Sequence, residues 1–344
     1  MGKNVEFHGK ASEWFGIWIV NVVLTILTIG IYSAWAKVRR NQYFYRNTTF
    51  AGRSFDYHAT GKQILIGRLI VIAGLIAYSL LAVIPLLAVL LPIGFIVLFP
   101  FLLMRSLRFN ARVSSWSGVR FNFNGSYKDA FVAYLLVPFL TFFTLYLAWP
   151  FAERVQRRYV VNNHTLGRSN FHFDSSIGPF YAAFFFAVSL FLIAAVVAMS
   201  TLTTQVAGLA QTEGGLTPDA LSSAGLLPLV GVIAAGFMAV TIFKAMVRNI
   251  VFNAAILDGR HRFGSNVSPL AVTWIAVSNT ALVLCSLGLL LPWAQIRLAR
   301  YFANHTEFMP EGSLDDFIAH KQAEATAIGD AYTDIEGVDF GINI

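Results

Sequence analysis

The side chains that could do chemistry are few, and most stand where an apolar chain makes them costly. Asn21, Arg68 and Asn279 fall inside long apolar runs. A polar group held in hydrocarbon marks a permeation path, a ligand contact or a helix–helix hydrogen bond. Arg39 and Arg40 follow Trp35, and Arg297 follows Trp293. A ring beside a guanidinium is the pairing that anchors a helix end at lipid phosphates. These eight residues are the candidate intramembrane polar or lipid-contact positions. His8, His58, His164, His172, His261 and His305 lie in the stretches between apolar runs. They lack the i, i+4 pairing and carboxylate spacing of a metal site. No nucleophile-elbow, zinc-protease or phosphate-loop motif is present. No apolar run carries a central Asp or Glu, the usual proton relay of a driven transporter. These residues therefore point to no enzyme, no metal and no cofactor.

The elements that must position them are membrane elements. Of 344 residues, 56% are hydrophobic and 12% charged, against about 25% charged in soluble domains. Seven apolar blocks can be marked, at 13–35, 63–84, 86–104, 129–150, 179–200, 226–247 and 269–292. Most approach the ~20 helical residues that cross a bilayer. The single cysteine, Cys285, leaves no disulfide framework. The N-terminus shows no signal-cleavage pattern, so the first block is expected to be retained.

Between the blocks one pattern returns four times. A helix runs into a basic, aromatic end, then a short β-favouring run, a turn containing Gly, and a Phe-x-aromatic run. The turns are Ala51-Gly52, Ser117-Gly118, Gly167 and Asp258-Gly259. Each reads as a β-hairpin, because the turns that match strand twist need φ > 0 at their centre. Val5-Glu-Phe7 resembles the second strand of such a unit. The fold expected is an α-helical integral membrane protein, multi-pass with about 4–7 spans, some re-entrant, with repeated juxtamembrane cytoplasmic β-hairpins.

Charge sets the topology. Nearly all Lys and Arg of residues 1–306 flank the blocks, and such residues collect on the cytoplasmic side. Only the tight turn at Pro85 and the 201–225 loop carry none. Blocks two and three, and five and six, are thus out-and-back pairs. Blocks 13–35, 129–150 and 269–292 have bases at both ends. They are favoured as re-entrant, with Asn21, Pro138 and Asn279 as candidate interruptions and both termini cytoplasmic. Residues 1–306 form the membrane domain of strand–helix–basic-helix units and carry a net charge of +15. Residues 307–344, at −8, form an acidic tail, expected to be flexible or to pair with the basic layer or a protein partner.

The run Phe7-His-Gly9, Glu13-Trp-Phe15, Asn21, Leu24 to Tyr32, Trp35-Ala36, Arg39 and Tyr43 resembles the signature of the YjgN-like bacterial inner-membrane proteins. Ser117-Gly118-Val-Arg-Phe121-Asn-Phe123 and Pro292-Trp293-Ala294, with Arg297 and Tyr301, are similar to its later motifs. The resemblance implies a multi-pass protein of the bacterial inner (cytoplasmic) membrane, and no catalytic residue comes with it. Two functions follow as expectations. One is transport or channel-like handling of a small solute or lipid. The alternative is a non-catalytic scaffold recruiting a partner through the hairpin layer and acidic tail. The expected partners are membrane lipids with anionic headgroups. The aromatics sit in apolar runs rather than among the bases, which argues against nucleic acid.

Overall fold

The computed structural model describes residues 3–212 and 217–328. The chain runs as five repeats of strand, helix pair, strand. The first is β1 (Lys3–Phe7), α1 (Ala11–Leu27), α2 (Ser33–Arg46) and β2 (Thr48–Phe50). The second is β3 (Arg53–Tyr57), α3 (Gly61–Leu81), α4 (Pro85–Arg112) and β4 (Ser114–Trp116). The third is β5 (Val119–Phe123), α5 (Tyr127–Phe131), a π-helical turn Val132–Leu136, α6 (Val137–Phe143), α7 (Trp149–Asn162) and β6 (His164–Leu166). The fourth is β7 (Ser169–Phe173), α8 (Gly178–Ala210), α9 (Pro218–Ala254) and β8 (Ala255–Leu257). The fifth is β9 (His261–Ser265), α10 (Pro269–Cys285), α11 (Leu291–Asn304) and β10 (Thr306–Met309). A last helix, α12 (Leu314–Ile328), follows.

Every strand pairs antiparallel with both neighbours, and β1 pairs with β10, so ten strands close into one barrel. The sequence suggests a layer of strand pairs but gives no sign of this closure. The physical reason is plain. A lone two-stranded ribbon is marginal in water and leaves open edges, and strands of three to five residues gain most by closing the ring. Consecutive repeats join by tight turns. Ala51 and Gly52 have φ of 50° and 76°, and Ser117 and Gly118 have 52° and 81°. This left-handed pair suits a two-residue antiparallel turn.

One cross-strand pair from each repeat sits in or against a single apolar cluster: Val5–Phe50, Phe55–Trp116, Phe121–Leu166, Phe171–Leu257 and Phe263–Phe308. Phe50 and Phe308 meet edge to face at 4.6 Å, and Phe263 and Phe308 lie 4.9 Å apart. Side chains alternate across a strand, so a second tier follows toward the helices: Phe7–Thr48, Tyr57–Ser114, Phe123–His164, Phe173–Ala255 and Ser265–Thr306.

All five helix pairs hang from this rim. The pairs α3/α4 and α8/α9 have helices of 21, 28, 33 and 37 residues, long and apolar enough to cross a membrane. Only 11% to 22% of their most apolar windows is buried, so the rest presents hydrocarbon surface. The other three pairs turn back early. Each leaves one strand and returns to that strand's paired neighbour, so its ends are on the same side of any bilayer that the long helices cross.

The turns do not sit at Asn21, Pro138 and Asn279. They begin six or seven residues further on, at 28–32, 144–148 and 286–290. There Thr28, Thr144 and Ser286 accept from the backbone N–H four residues ahead, at 2.9, 3.1 and 3.0 Å. Left-handed residues at 29–30, 145–146 and 287–288 reverse the chain. Asn21 and Asn279 are helix-interior residues. Pro138 is absorbed by the π-helical turn before α6, which widens the backbone where the proline ring cannot fit a regular turn.

The expected boundary at 306/307 also moves. It cuts β10, and Leu314, Phe317 and Ile318 of α12 are buried in the barrel cluster. Residues 329–344, the rest of the acidic tail, and 213–216 in the expected exterior loop lie outside the described residues.

Candidate functional site

The barrel has two unlike ends. At the end bearing the tight turns, α12 forms a stopper. Leu314, Phe317 and Ile318 enter the apolar cluster, following the i, i+3, i+4 spacing of one helix face. Polar contacts hold the stopper to the turns. Arg53 donates to Asp315 at 2.8 Å, and Gln322 Nε2 donates to the Ser117 carbonyl at 2.6 Å. His261 is buried with its ring 4.6 Å from that of Phe317. Its Nδ1 accepts from the Glu311 N–H at 3.2 Å, so the neutral ring carries its proton on Nε2. Burial, helped by the nearby Arg260 guanidinium, holds the His261 pKa below its usual value.

At the helix end the lumen holds a cavity of about 480 Å³. Phe55, Phe121, Leu107 and Phe44 give it apolar walls, and Thr48, Asn110, Ser114 and His164 give it polar points. The strands supply the first-tier and second-tier positions, while α2 and α4 border it on the membrane side. His164 Nδ1 bonds to the Val160 carbonyl at 2.6 Å. With Nδ1 donating, Nε2 is the acceptor, and burial depresses the pKa of the ring. Across the same tier, Arg248 donates to Ser265 Oγ at 2.5 Å and Thr306 Oγ1 at 2.6 Å. Its guanidinium lies 4.3 Å from the Phe252 ring and 4.8 Å from that of Phe302. No carboxylate among the described residues pairs with it.

The three short pairs share a brace that the sequence reading missed. Tyr43, Tyr159 and Tyr301 occupy one position in α2, α7 and α11, and each hydroxyl reaches back to the residue capping the first helix of its pair. Tyr43 Oη accepts from Lys10 N at 2.8 Å, Tyr159 Oη donates to Ser126 O at 3.1 Å, and Tyr301 Oη accepts from Ser268 N at 3.0 Å. The signal was available, because residues 10, 28 and 43 recur as 126, 144 and 159 and as 268, 286 and 301.

The eight positions singled out from sequence do not form one site. Asn279, Trp293 and Arg297 come together. Asn279 Nδ2 donates to the Ala294 carbonyl at 3.1 Å, and its Oδ1 accepts from Arg297 at 3.1 Å. Arg297 also donates to Ser278 Oγ at 2.7 Å and lies 5.3 Å from the Trp293 ring. Asn21 holds the matching position in the first pair, buried with Oδ1 unpartnered. Arg39, the counterpart of Arg297, is exposed and lies 5.7 Å from the Tyr32 ring. Arg40 is exposed. Trp35 stacks on Tyr32 and covers Gly61, where an added Cβ would come within 2.5 Å of its ring. Arg68 donates to Ser33 Oγ and so ties α3 to the start of α2. Among the described residues no group of three His, Cys, Asp or Glu side chains is placed to hold a metal.

A sequence profile described as bacterial protein of unknown function (DUF898) matches residues 2–335. The chain belongs to that family. It is 35% identical over 136 residues to inner membrane protein YjgN of Escherichia coli strain K12, covering 39% of this chain and 34% of that protein. It is 31% identical over 147 residues to inner membrane protein YjgN of Salmonella typhimurium, covering 41% of this chain and 36% of the relative. The matched part thus spans about a third of the curated relatives' length. No solved structure matches the chain significantly. Four apolar helices and membrane-protein relatives make this a multi-pass membrane protein.

Proposed function

We propose that the protein handles an amphipathic membrane lipid, taking its apolar portion into the lumen beneath the barrel. The carrying observation is the cavity of about 480 Å³, roomy and apolar, closed toward the turns by α12 and bordered by α2 and α4 on the membrane side. Pockets of some 300–1,000 Å³ with a few placed polar groups are typical of small-molecule sites. A route for hydrated ions would need a polar lining, and these walls are largely aromatic and aliphatic. The reading is binding or transfer without bond chemistry. The barrel is assigned to the cytoplasmic face of the inner membrane, with both termini there, because Lys and Arg gather around its rim. The scaffold role expected of the acidic tail rests in part on residues 329–344, outside the described residues.

The test is native mass spectrometry of the detergent-purified protein, scoring co-purified lipid. Leu107→Trp fills the cavity, and Phe142→Ala serves as a control on an outer helix face. Wild type and control are expected to carry lipid at a fixed stoichiometry, and Leu107→Trp to lose it. Equal lipid on all three, or none on wild type, overturns the reading.

A further inference from the structure

A second site lies outside the barrel, at the seam where the fifth repeat meets the first. A groove of about 620 Å³ runs between α1, α10 and α11, and Lys10, Arg297 and Arg300 converge on it with Trp274 and Trp293 at its edges. Arg297 and Arg300 are one turn apart on α11 and face the same way. Arg300 donates to the Gly9 carbonyl at 3.1 Å, and Arg297 to Ser278 and Asn279. Neither has a carboxylate partner among the described residues, whereas Lys10 is paired with Glu13 at 3.3 Å. Each guanidinium has five donors, so both keep N–H groups for a ligand. Trp274 is 67% exposed and Trp293 37% exposed, as expected of rings seated at the headgroup level.

The repeats provide an internal control. The third pair folds with the same turn and tyrosine brace, yet has Val137 and Val155 where the fifth has Asn279 and Arg297. The first pair has Asn21 and Arg39, but these are not joined, and Asn21 Oδ1 has no partner. Building the pair does not require the Asn–Arg bond. In the fifth pair alone it aims a guanidinium into a groove.

The geometry points to a binding site for the phosphate of an anionic phospholipid, with Arg297 and Arg300 as the fork and Trp274 and Trp293 as the interfacial rails. Two guanidinia suit a phosphate, whose oxygens accept bidentate contacts, and a headgroup without a cation of its own leaves the phosphate charge for them to balance. The groove stands apart from the lumen, and the proposal holds whether or not the lumen carries lipid.

The experiment uses full-length protein in nanodiscs of phosphatidylcholine with rising phosphatidylglycerol, reading Trp fluorescence and the annular lipids retained in native mass spectrometry. Wild type is expected to retain phosphatidylglycerol about tenfold over phosphatidylcholine, the loss of charge-assisted bonds being of that order. Arg297→Gln/Arg300→Gln is expected to abolish the preference. Arg39→Gln/Arg40→Gln, which removes the same charge elsewhere, is expected to keep it. Ser278→Ala leaves both cations but frees Arg297, and a partial loss is expected. An equal loss in both double variants would mean general surface charge and overturn the site. Inorganic phosphate displacing the lipid at equal phosphate concentration would overturn a lipid source in favour of a soluble phosphate. No preference in wild type would overturn the proposal outright.

Discussion

The two ends of the barrel are built from the same ten strands yet do opposite things. At the turn end, strand side chains meet an added helix, and Leu314, Phe317 and Ile318 leave the apolar cluster closed. At the helix end, the equivalent tier opens into a cavity bordered by α2 and α4. Closure of a short-stranded barrel does not settle whether its lumen is filled. What enters each mouth settles it. A stopper from the C-terminal segment fills one end, and the membrane helices leave the other accessible from their own side.

The largest expected effect is on the stopper. Phe317→Ala removes a buried ring packed on His261 and should cost about 3–5 kcal/mol. It should raise hydrogen exchange in the turns at 51–52, 117–118 and 258–259 before the helix-end tier. Faster exchange at Phe123 and His164 first would reverse the comparison. The helix end is probed by Tyr159→Phe, which takes the partner from the Ser126 carbonyl. A loss of about 1 kcal/mol is expected, read as a lower melting temperature with α12 exchange unchanged. A third change should touch neither end. Tyr146 holds φ at 63° where the matching turns have Gly30 and Gly288. Left-handed backbone costs a non-glycine residue about 1 kcal/mol, so Tyr146→Gly should stabilise by about that much in thermal unfolding. A destabilised variant would show that the Tyr146 ring has a packing role.

The smallest effect is graded with pH. His261 and His164 both have folded pKa values below the ordinary 6.5 because burial disfavours the charged ring. The unfolded chain therefore takes up the proton first. Their contribution is complete above about 6.5 and lost as the pH falls through the folded values. Melting temperature should decline with acidification from that point. His261→Asn should remove the share that loosens α12 and leave the share at the helix end.

Much of the helical frame was legible. Hydropathy located α3/α4 and α8/α9, and bases at both ends of three blocks argued against single crossings. The turn positions were misplaced because a polar side chain at depth looks like a break. Asn279 instead bonds the neighbouring helix, and the true marker was the capping hydroxyl at Thr28 or Ser286 followed by a glycine two residues on. Closure was not legible, since β1 and β10 are about 300 residues apart and local pattern carries no information on that pairing. The stopper was hidden by its charge. A segment at −8 reads as solvated, although Leu314, Phe317 and Ile318 already had the spacing of a buried helix face. Of the candidate residues, Asn279 was set with Asn21 and Arg68 as a polar group at depth and Arg297 with Trp293 as a helix-end pair; the structure joins Asn279 to that pair. Arg300 and Lys10 were missed because their role depends on the seam between first and last repeats.

The account rests on all ten strands sharing one aqueous side. Its most direct test is impermeant thiol labelling of intact cells, with Cys285 replaced by Ser and single cysteines at the exposed positions Ser54, Asn170 and Thr217. Labelling of Thr217→Cys in intact cells, with Ser54→Cys and Asn170→Cys reacting only after permeabilisation, is the predicted result. Reaction of Ser54→Cys or Asn170→Cys in intact cells would contradict a cytoplasmic barrel.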